Sequence, residues 1–260
     1  MSYETLLVET VDGISTVRVN RPKALNAING QVLTDLIKWS KGVNQDPEVK
    51  VAILTGSGEK TFVAGADIAA MKDMNALQAR EFCYLGHRAM RMVANCKKPI
   101  IAAVNGFCLG GGFELALSCD FIYASEHAKL GLPEVNLGLF PGFGGTQRLA
   151  RLIGKNRAKE LIYTARMLSA HEARDWGIAN RVCIPDELLS QSENTAKEII
   201  SKGPVAVELA KEVINHGTDL DLSSGLALER NTFPLIFATE DRMEGVTAFL
   251  EKRKANFKGK

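Results

Sequence analysis

The sequence predicts an α/β fold with a mostly helical second half, on three observations. Apolar, β-branched runs of strand length alternate with helical periods from residue 14 to residue 125. Those runs are apolar on both faces, as strands covered by helices are. After Gly145 the helical period takes over.

Element by element, ISTVRVN at 14–20 alternates and reads as a strand, and RPKALNA turns the chain. Residues 28–43 set their apolar side chains on one helical face. VKVAILT at 49–55 is a buried strand, closed by the turn GSGEK. An amphipathic helix follows at 76–94, then the strand IIAAV at 100–104. In NGFCLGGGFELALSCD a glycine turn opens a short helix over 113–118, and DFIYAS at 120–125 is again a strand. Helices are then expected at 146–152, 157–164, 170–176, 187–200, 204–215, 222–238 and 239–254, with one strand at 179–184. No low-complexity linker or short-period repeat divides the chain.

An apolar fraction of 46% and a charged fraction of 24% describe an ordinary globule. A formal charge of +2 is too small to argue for nucleic acid, yet leaves room for a local basic site facing a small anion. The longest apolar region, 100–124, is broken by Asn105, glycines, Glu114 and Asp120, so no bilayer span is expected. MSYETLLVETVDG has no basic end leading into an apolar run, so no targeting segment is expected. Five cysteines with no CxxC point away from a disulfide scaffold and toward a reducing compartment, the cytoplasm. Cys83 and His87 share a helix face without further ligands at metal spacing, so they read as a packed thiol and imidazole, not a metal site.

The glycines spell neither GxGxxG before a helix nor a Walker A lysine, and there is no GxSxG elbow. Gly110-Gly111-Gly112 stands before Phe113-Glu114-Leu115. Glycines at a helix start permit close approach and expose unpaired amides at the positive end of the helix, a place suited to a developing oxyanion. A turn that only permits tight packing fits the same spelling. FVAGADI at 62–68 offers amides to the same oxygen, or is simply a loop capped by Asp67; taken alone, the loop is the simpler reading. Glu134, just past Pro133 in an apolar run, and Glu114, among Phe113, Leu115 and Ala116, are carboxylates in apolar settings. Loss of hydration there raises a pKa toward neutrality, which makes them a candidate pair for handling a water; capping and surface roles fit the spacing as well. The end EKRKANFKGK reads as a solvated tail, or as a cationic patch for phosphates with Phe249 and Phe257 beside it.

Taken in order over residues 14–257, RPKALNA, FVAGADI, KPIIAAVNGFCLGGGFELALSCD, GLPEVNLGLFPGFGGTQRL and AFLEKRKANF resemble the crotonase, or enoyl-CoA hydratase/isomerase, family. The resemblance implies a crotonase-like spiral of ββα units over residues 1–195, a C-terminal helical trimerisation region over 196–260, and a homotrimer or a hexamer of paired trimers. It implies reversible addition of water to a short-chain trans-2-enoyl-CoA, giving a 3-hydroxyacyl-CoA. The alternatives are a Δ3,Δ2-enoyl-CoA isomerase, a hydratase for a specialised acyl-CoA and a non-enzymatic RNA-binding member. The family's two glutamates match Glu114 and Glu134, and keeping both argues for hydration. Its oxyanion amides match Ala66 and Gly111. Coenzyme A, part of the substrate, is expected along Lys23, Ala24 and Leu25 and along Ala64, Gly65, Ala66, Asp67 and Ile68. Lys60 is expected near the phosphates, and Phe249 and Lys252 at a neighbouring subunit's coenzyme A. No separate cofactor, metal, nucleic acid or membrane partner is implied. Two departures stand out: Ala69 replaces a charge that many relatives carry, and GLPE replaces GQPE. Met71, Met74, Phe140 and Phe143 are expected to shape the acyl pocket.

Overall fold

The structure is a computed structural model and describes residues 2–260. The chain opens with the hairpin β1 (Leu6–Val11) and β2 (Ile14–Val19), then α1 (Gly30–Gln45), β3 (Val51–Gly56), β4 (Thr61–Ala64), α2 (Ile68–Met71) and α3 (Ala76–Ala94). It continues through β5 (Ile100–Val104), β6 (Phe107–Leu109), α4 (Gly111–Ala116), β7 (Phe121–Ser125) and β8 (Lys129–Gly131). The second half holds α5 (Gly145–Ile153), α6 (Lys155–Thr164), β9 (Leu168–Ser169), α7 (Ala170–Asp175), β10 (Arg181–Cys183), α8 (Leu188–Ile200), α9 (Pro204–Gly217), α10 (Leu222–Thr232) and α11 (Glu240–Leu250).

Six strands form the main sheet in the order β1-β2-β3-β5-β7-β10, parallel except for the opening hairpin. Four short strands form a second sheet, β4-β6-β8-β9, parallel except for the last pair. Each turn of the chain therefore lays one strand in each sheet before a helical segment: β3 then β4, β5 then β6, β7 then β8. This is a spiral of ββα units. Its corners are tight. A Cβ on Gly56 would lie 2.2 Å from the Thr61 carbonyl oxygen, and one on Gly106 would lie 2.0 Å from that of Lys60. Only glycine lets the two strands of one turn, at Gly56, and two successive turns, at Gly106, touch backbone to backbone.

The apolar character of both strand faces has a direct cause. Ala52, Leu54, Ile100 and Ala102 point into the large core shared with α1 and α3, while Val51, Ile53, Ile101 and Ala103 point into a second cluster closed by Leu188 and Ala196 of α8. α8 runs through residue 195, so the expected boundary at 195/196 falls inside a helix packed on the sheet. α9 is pinned to the spiral by Lys211–Asp120 at 2.8 Å and by a Lys98–Glu208 ion pair.

The long elements lie within a few residues of their sequence-based positions, and 76–94 and 100–104 coincide with α3 and β5. The expected helix over 222–238 instead stops at Thr232 and continues as a 3-10 turn, because Pro234 has no N–H for an α-helical bond. The helix expected to reach 254 ends at Leu250. The sequence reading did not foresee β1, β4, β6, β8 or β9. Among the described residues no helix is long and apolar enough to cross a membrane.

Candidate active site

Three loops leave the C-terminal ends of β4, β6 and β8 on one side of the second sheet and converge on a cleft of about 490 Å³. The first is clasped by RPKALNA. Arg21 pairs with Asp67 at 3.0 Å and donates to the Ala27 carbonyl at 2.5 Å. Ile28 N–H donates to Gly65 O, and Asp67 N–H to Ile28 O, each at 2.8 Å. Asn26, buried in a left-handed conformation, donates to the Ser57 and Thr61 carbonyls. Within this clasp the Ala66 N–H has no acceptor among the described residues.

The second loop carries the triplet. Gly65 and Gly110 both have positive φ, 95° and 51°. A Cβ on Gly110 would stand 3.4 Å from Gly65 Cα and 3.2 Å from Glu134 Oε1, so the two loops and that carboxylate meet closely at a point where a side chain would be tight and strained. α4 begins at Gly111, whose N–H belongs to the unpaired first turn and likewise has no acceptor among the described residues. Gly112 lies against β4, where a Cβ would come within 2.0 Å of the Val63 carbonyl oxygen. Two unpaired amides are thus fixed on loops in contact, an arrangement able to bind a developing oxyanion.

Glu114 follows in the first turn of α4 and is 1% exposed. Its Oε1 accepts from Phe143 N–H and Gly145 N–H, both at 2.7 Å. Burial raises its pKa, and the two amides together with the Arg148 guanidinium oppose that rise. Glu134 stands at the head of the 3-10 turn Glu134–Leu137. Its Oε2 is buried without a partner. Burial first, and then the charge of Glu114, push its pKa up to about 7. The cleft therefore holds one anchored carboxylate and one that exchanges a proton near neutrality, beside two oxyanion donors. That set can polarise a carbonyl and move protons at its neighbouring carbons.

Ala64, Gly65, Ala66, Ile68, Gly111, Glu114 and Glu134 all line the cleft, as do Met71, Phe140 and Phe143; Met74 does not. Lys23 and Ala24 lie in the 3-10 turn Pro22–Ala24, and Leu25 after it accepts from Ala64 N–H at 3.1 Å, beside the cleft rather than in its wall. Lys60 faces a separate hollow of about 730 Å³ with Arg18 and His127. Phe249 and Lys252 lie exposed at the end of α11 and line no part of their own chain's cleft. Sequence reasoning missed the Phe143 and Gly145 amides, Arg148, and the α3 side of the wall, Phe82, Cys83 and His87. The spelling PGFGG was the available signal for the amides, but nothing in it says which carboxylate they serve. Burial raises the Cys83 thiol and lowers the His87 imidazole. No cluster able to hold a metal ion occurs among the described residues.

A family model described as enoyl-CoA hydratase/isomerase matches residues 9–260. The chain is 50% identical over 257 residues to the crotonyl-CoA hydratase of Syntrophomonas wolfei, covering 99% of each. It is 48% identical to the short-chain-enoyl-CoA hydratase of Clostridium acetobutylicum, over 98% of this chain and 97% of that one. Among solved structures, an enoyl-CoA hydratase from Bacillus anthracis matches with a TM-score of 0.96 at 42% identity, over 99% of this chain and 100% of that one.

Proposed function

The chain belongs to the enoyl-CoA hydratase/isomerase family, and from that premise we propose how its own groups carry out a hydration. The protein is an enoyl-CoA hydratase, a hydro-lyase for short acyl chains. It adds water reversibly across the 2,3 double bond of a trans-2-enoyl-CoA and gives the 3-hydroxyacyl-CoA. The observation that carries the mechanism is the unequal carboxylate pair beside two unpaired amides.

The thioester oxygen accepts from the Ala66 and Gly111 N–H groups, which stabilise the enolate-like charge that develops as oxygen adds at C3. One such donor is typically worth about 3 kcal/mol in the transition state. Glu114, anchored by the loop amides, holds the water and takes up its proton. Glu134, with its pKa near 7, delivers a proton to C2. The pair keeps its total proton count, and the two groups titrate as a coupled unit. Dehydration runs the same steps backward, with Glu134 as the base.

Coenzyme A enters as part of the substrate, along Lys23 to Leu25 and Ala64 to Ile68. Lys60 is assigned to the phosphates from outside the cleft. Phe249 and Lys252 are assigned to a neighbouring subunit's coenzyme A in a homotrimer or paired trimers. The exposure of Leu222 (78%), Phe249 (82%) and Leu250 (75%) supports that assembly. Five free thiols support a reducing compartment such as the cytoplasm.

The test is the loss of enoyl-thioester absorbance when crotonyl-CoA meets the wild type, Glu114→Gln and Glu134→Gln. Formation of 3-hydroxybutyryl-CoA by the wild type is expected. Untouched crotonyl-CoA would remove the short-chain assignment, and a variant at full rate would remove that glutamate from the mechanism. An RNA gel shift against retention on coenzyme A resin separates the enzyme from a nucleic-acid-binding relative.

A further inference from the structure

α3 lends the cleft Phe82, Cys83 and His87, and it also carries a buried glycine in its interior, where alanine is the better helix former. The reason is steric. A Cβ on Gly86 would lie 2.1 Å from Phe143 Cδ1 and 2.3 Å from Cε1, so the Phe143 ring occupies the space a side chain would take. The same ring meets Phe82 edge-on, with centroids 5.3 Å apart. One turn before Gly86, the Cys83 thiol donates to the Gly142 carbonyl at 2.9 Å. On the other side, Arg148 Nη1 donates to the Phe143 carbonyl at 3.1 Å. Between these anchors the Phe143 and Gly145 N–H groups reach Glu114 Oε1. The loop already crowds the carboxylate, since a Cβ on Gly145 would stand 3.0 Å from that oxygen.

We propose that Gly86 is a positioning residue for Glu114: the notch it leaves in α3 seats the Phe143 ring, and with Cys83 it fixes the loop whose two amides hold the carboxylate. The inference rests on the reading of Glu114 as the group that holds the attacking water. Gly86 touches neither substrate nor water; it acts through Phe143. A methyl group in the notch displaces the ring and, with it, the amide bonded to Glu114. A misplacement on the order of 1 Å costs about 100-fold in rate.

The experiment compares wild type, Gly86→Ala, Gly86→Ala/Phe143→Leu and Cys83→Ala on crotonyl-CoA, with the backbone amide protons of Phe143 and Gly145 followed by NMR. Gly86→Ala is expected to lower kcat by about 100-fold with KM within about threefold, and to move both amide protons upfield as their bonds lengthen. Replacing the ring by the more adaptable leucine is expected to restore about tenfold of the loss, because the two positions act through one contact. Gly86→Ala at wild-type kcat with unmoved amides overturns the inference. So does a loss that Phe143→Leu leaves untouched, which would place the damage elsewhere. If Gly86→Ala does not fold, Cys83→Ala decides: about a tenfold loss of kcat with shifted amides supports the clamp, and no change in either overturns it. A wild type that leaves enoyl-CoA intact, with amides that shift as expected, removes the proposed function and leaves the clamp standing.

Discussion

Glu114 and Glu134 face one cleft from walls built in different ways. Glu114 rises from a helix, is almost wholly buried, and has one oxygen fixed by two amides from a distant loop. Glu134 sits on a short 3-10 turn, less deeply buried, with one oxygen shut away from any donor. The amides stabilise the charged form of the first, while little in the protein compensates the second for its lost hydration. In the mechanism proposed above, two identical side chains take up different work because of what the backbone offers them.

The sharpest test of that contrast is removal of each charge. Glu114→Gln and Glu134→Gln are each expected to slow hydration by about 100-fold or more, and the double variant to be little worse than either single one, because the two act as a unit. Stopped-flow loss of crotonyl-CoA absorbance measures all three; additive losses would mean that the carboxylates work independently. Arg148→Met should act on one wall only. It removes the bond to the Phe143 carbonyl and the cation that opposes the rise in the Glu114 pKa. We expect kcat to fall about tenfold with KM nearly constant; a changed KM with constant kcat would assign Arg148 to substrate binding instead.

The pH profile separates the walls further. With its pKa raised to about 7, Glu134 keeps its proton up to neutrality. As the donor in hydration, it should make kcat/KM fall by about tenfold per unit above pH 7, and because hydration takes up no net proton and the pair keeps its proton count, kcat/KM for dehydration should follow the same profile. A kcat/KM for hydration that stays level from about pH 7 to about pH 9 would remove Glu134 as the proton donor. The smallest effect is on stability. A carboxyl whose pKa is raised in the folded state binds more protons there than in the unfolded chain between the two pKa values. Stability is therefore lost as pH rises from the ordinary carboxylate range to about 7. Glu134→Gln removes that cost. Discounted for partial exposure to about 1 kcal/mol, it should raise Tm at pH 8 by about 2–4 °C and leave it unchanged near pH 4. Thermal denaturation at the two pH values checks this.

A second contrast explains what was legible in the sequence. The main-sheet strands β2, β3, β5 and β7 carry enough apolar residues to declare themselves, and the two glutamates and the glycine triplet stood out by their apolar surroundings. The second sheet did not show. TFVA, FCL, KLG and LS are too short for alternation to be seen, and they are strands only because each turn of the spiral lays one beside the last. The cleft opens at the ends of the first three of those strands. Residue identity thus marked the groups that line the cleft, while the scaffold that brings them together depends on pairings between segments far apart in the chain, such as Val63 with Cys108 and Cys108 with Leu130. The same holds for the loop around Phe143, whose partner Glu114 lies 29 residues earlier.

The glycine corners have a mechanical consequence. At Gly56 the two strands of one turn rest on each other's peptide groups, and at Gly106 and Gly112 one turn of the spiral rests on those of the turn before, with no rotamer between them to relax. Elsewhere the core can yield by shifting side chains, but this column has no side-chain torsions to give. Under hydrostatic pressure it should be the least compressible part of the molecule. The Ala66 and Gly111 amides, seated beside it, should keep their spacing after the helices around the cleft have begun to move.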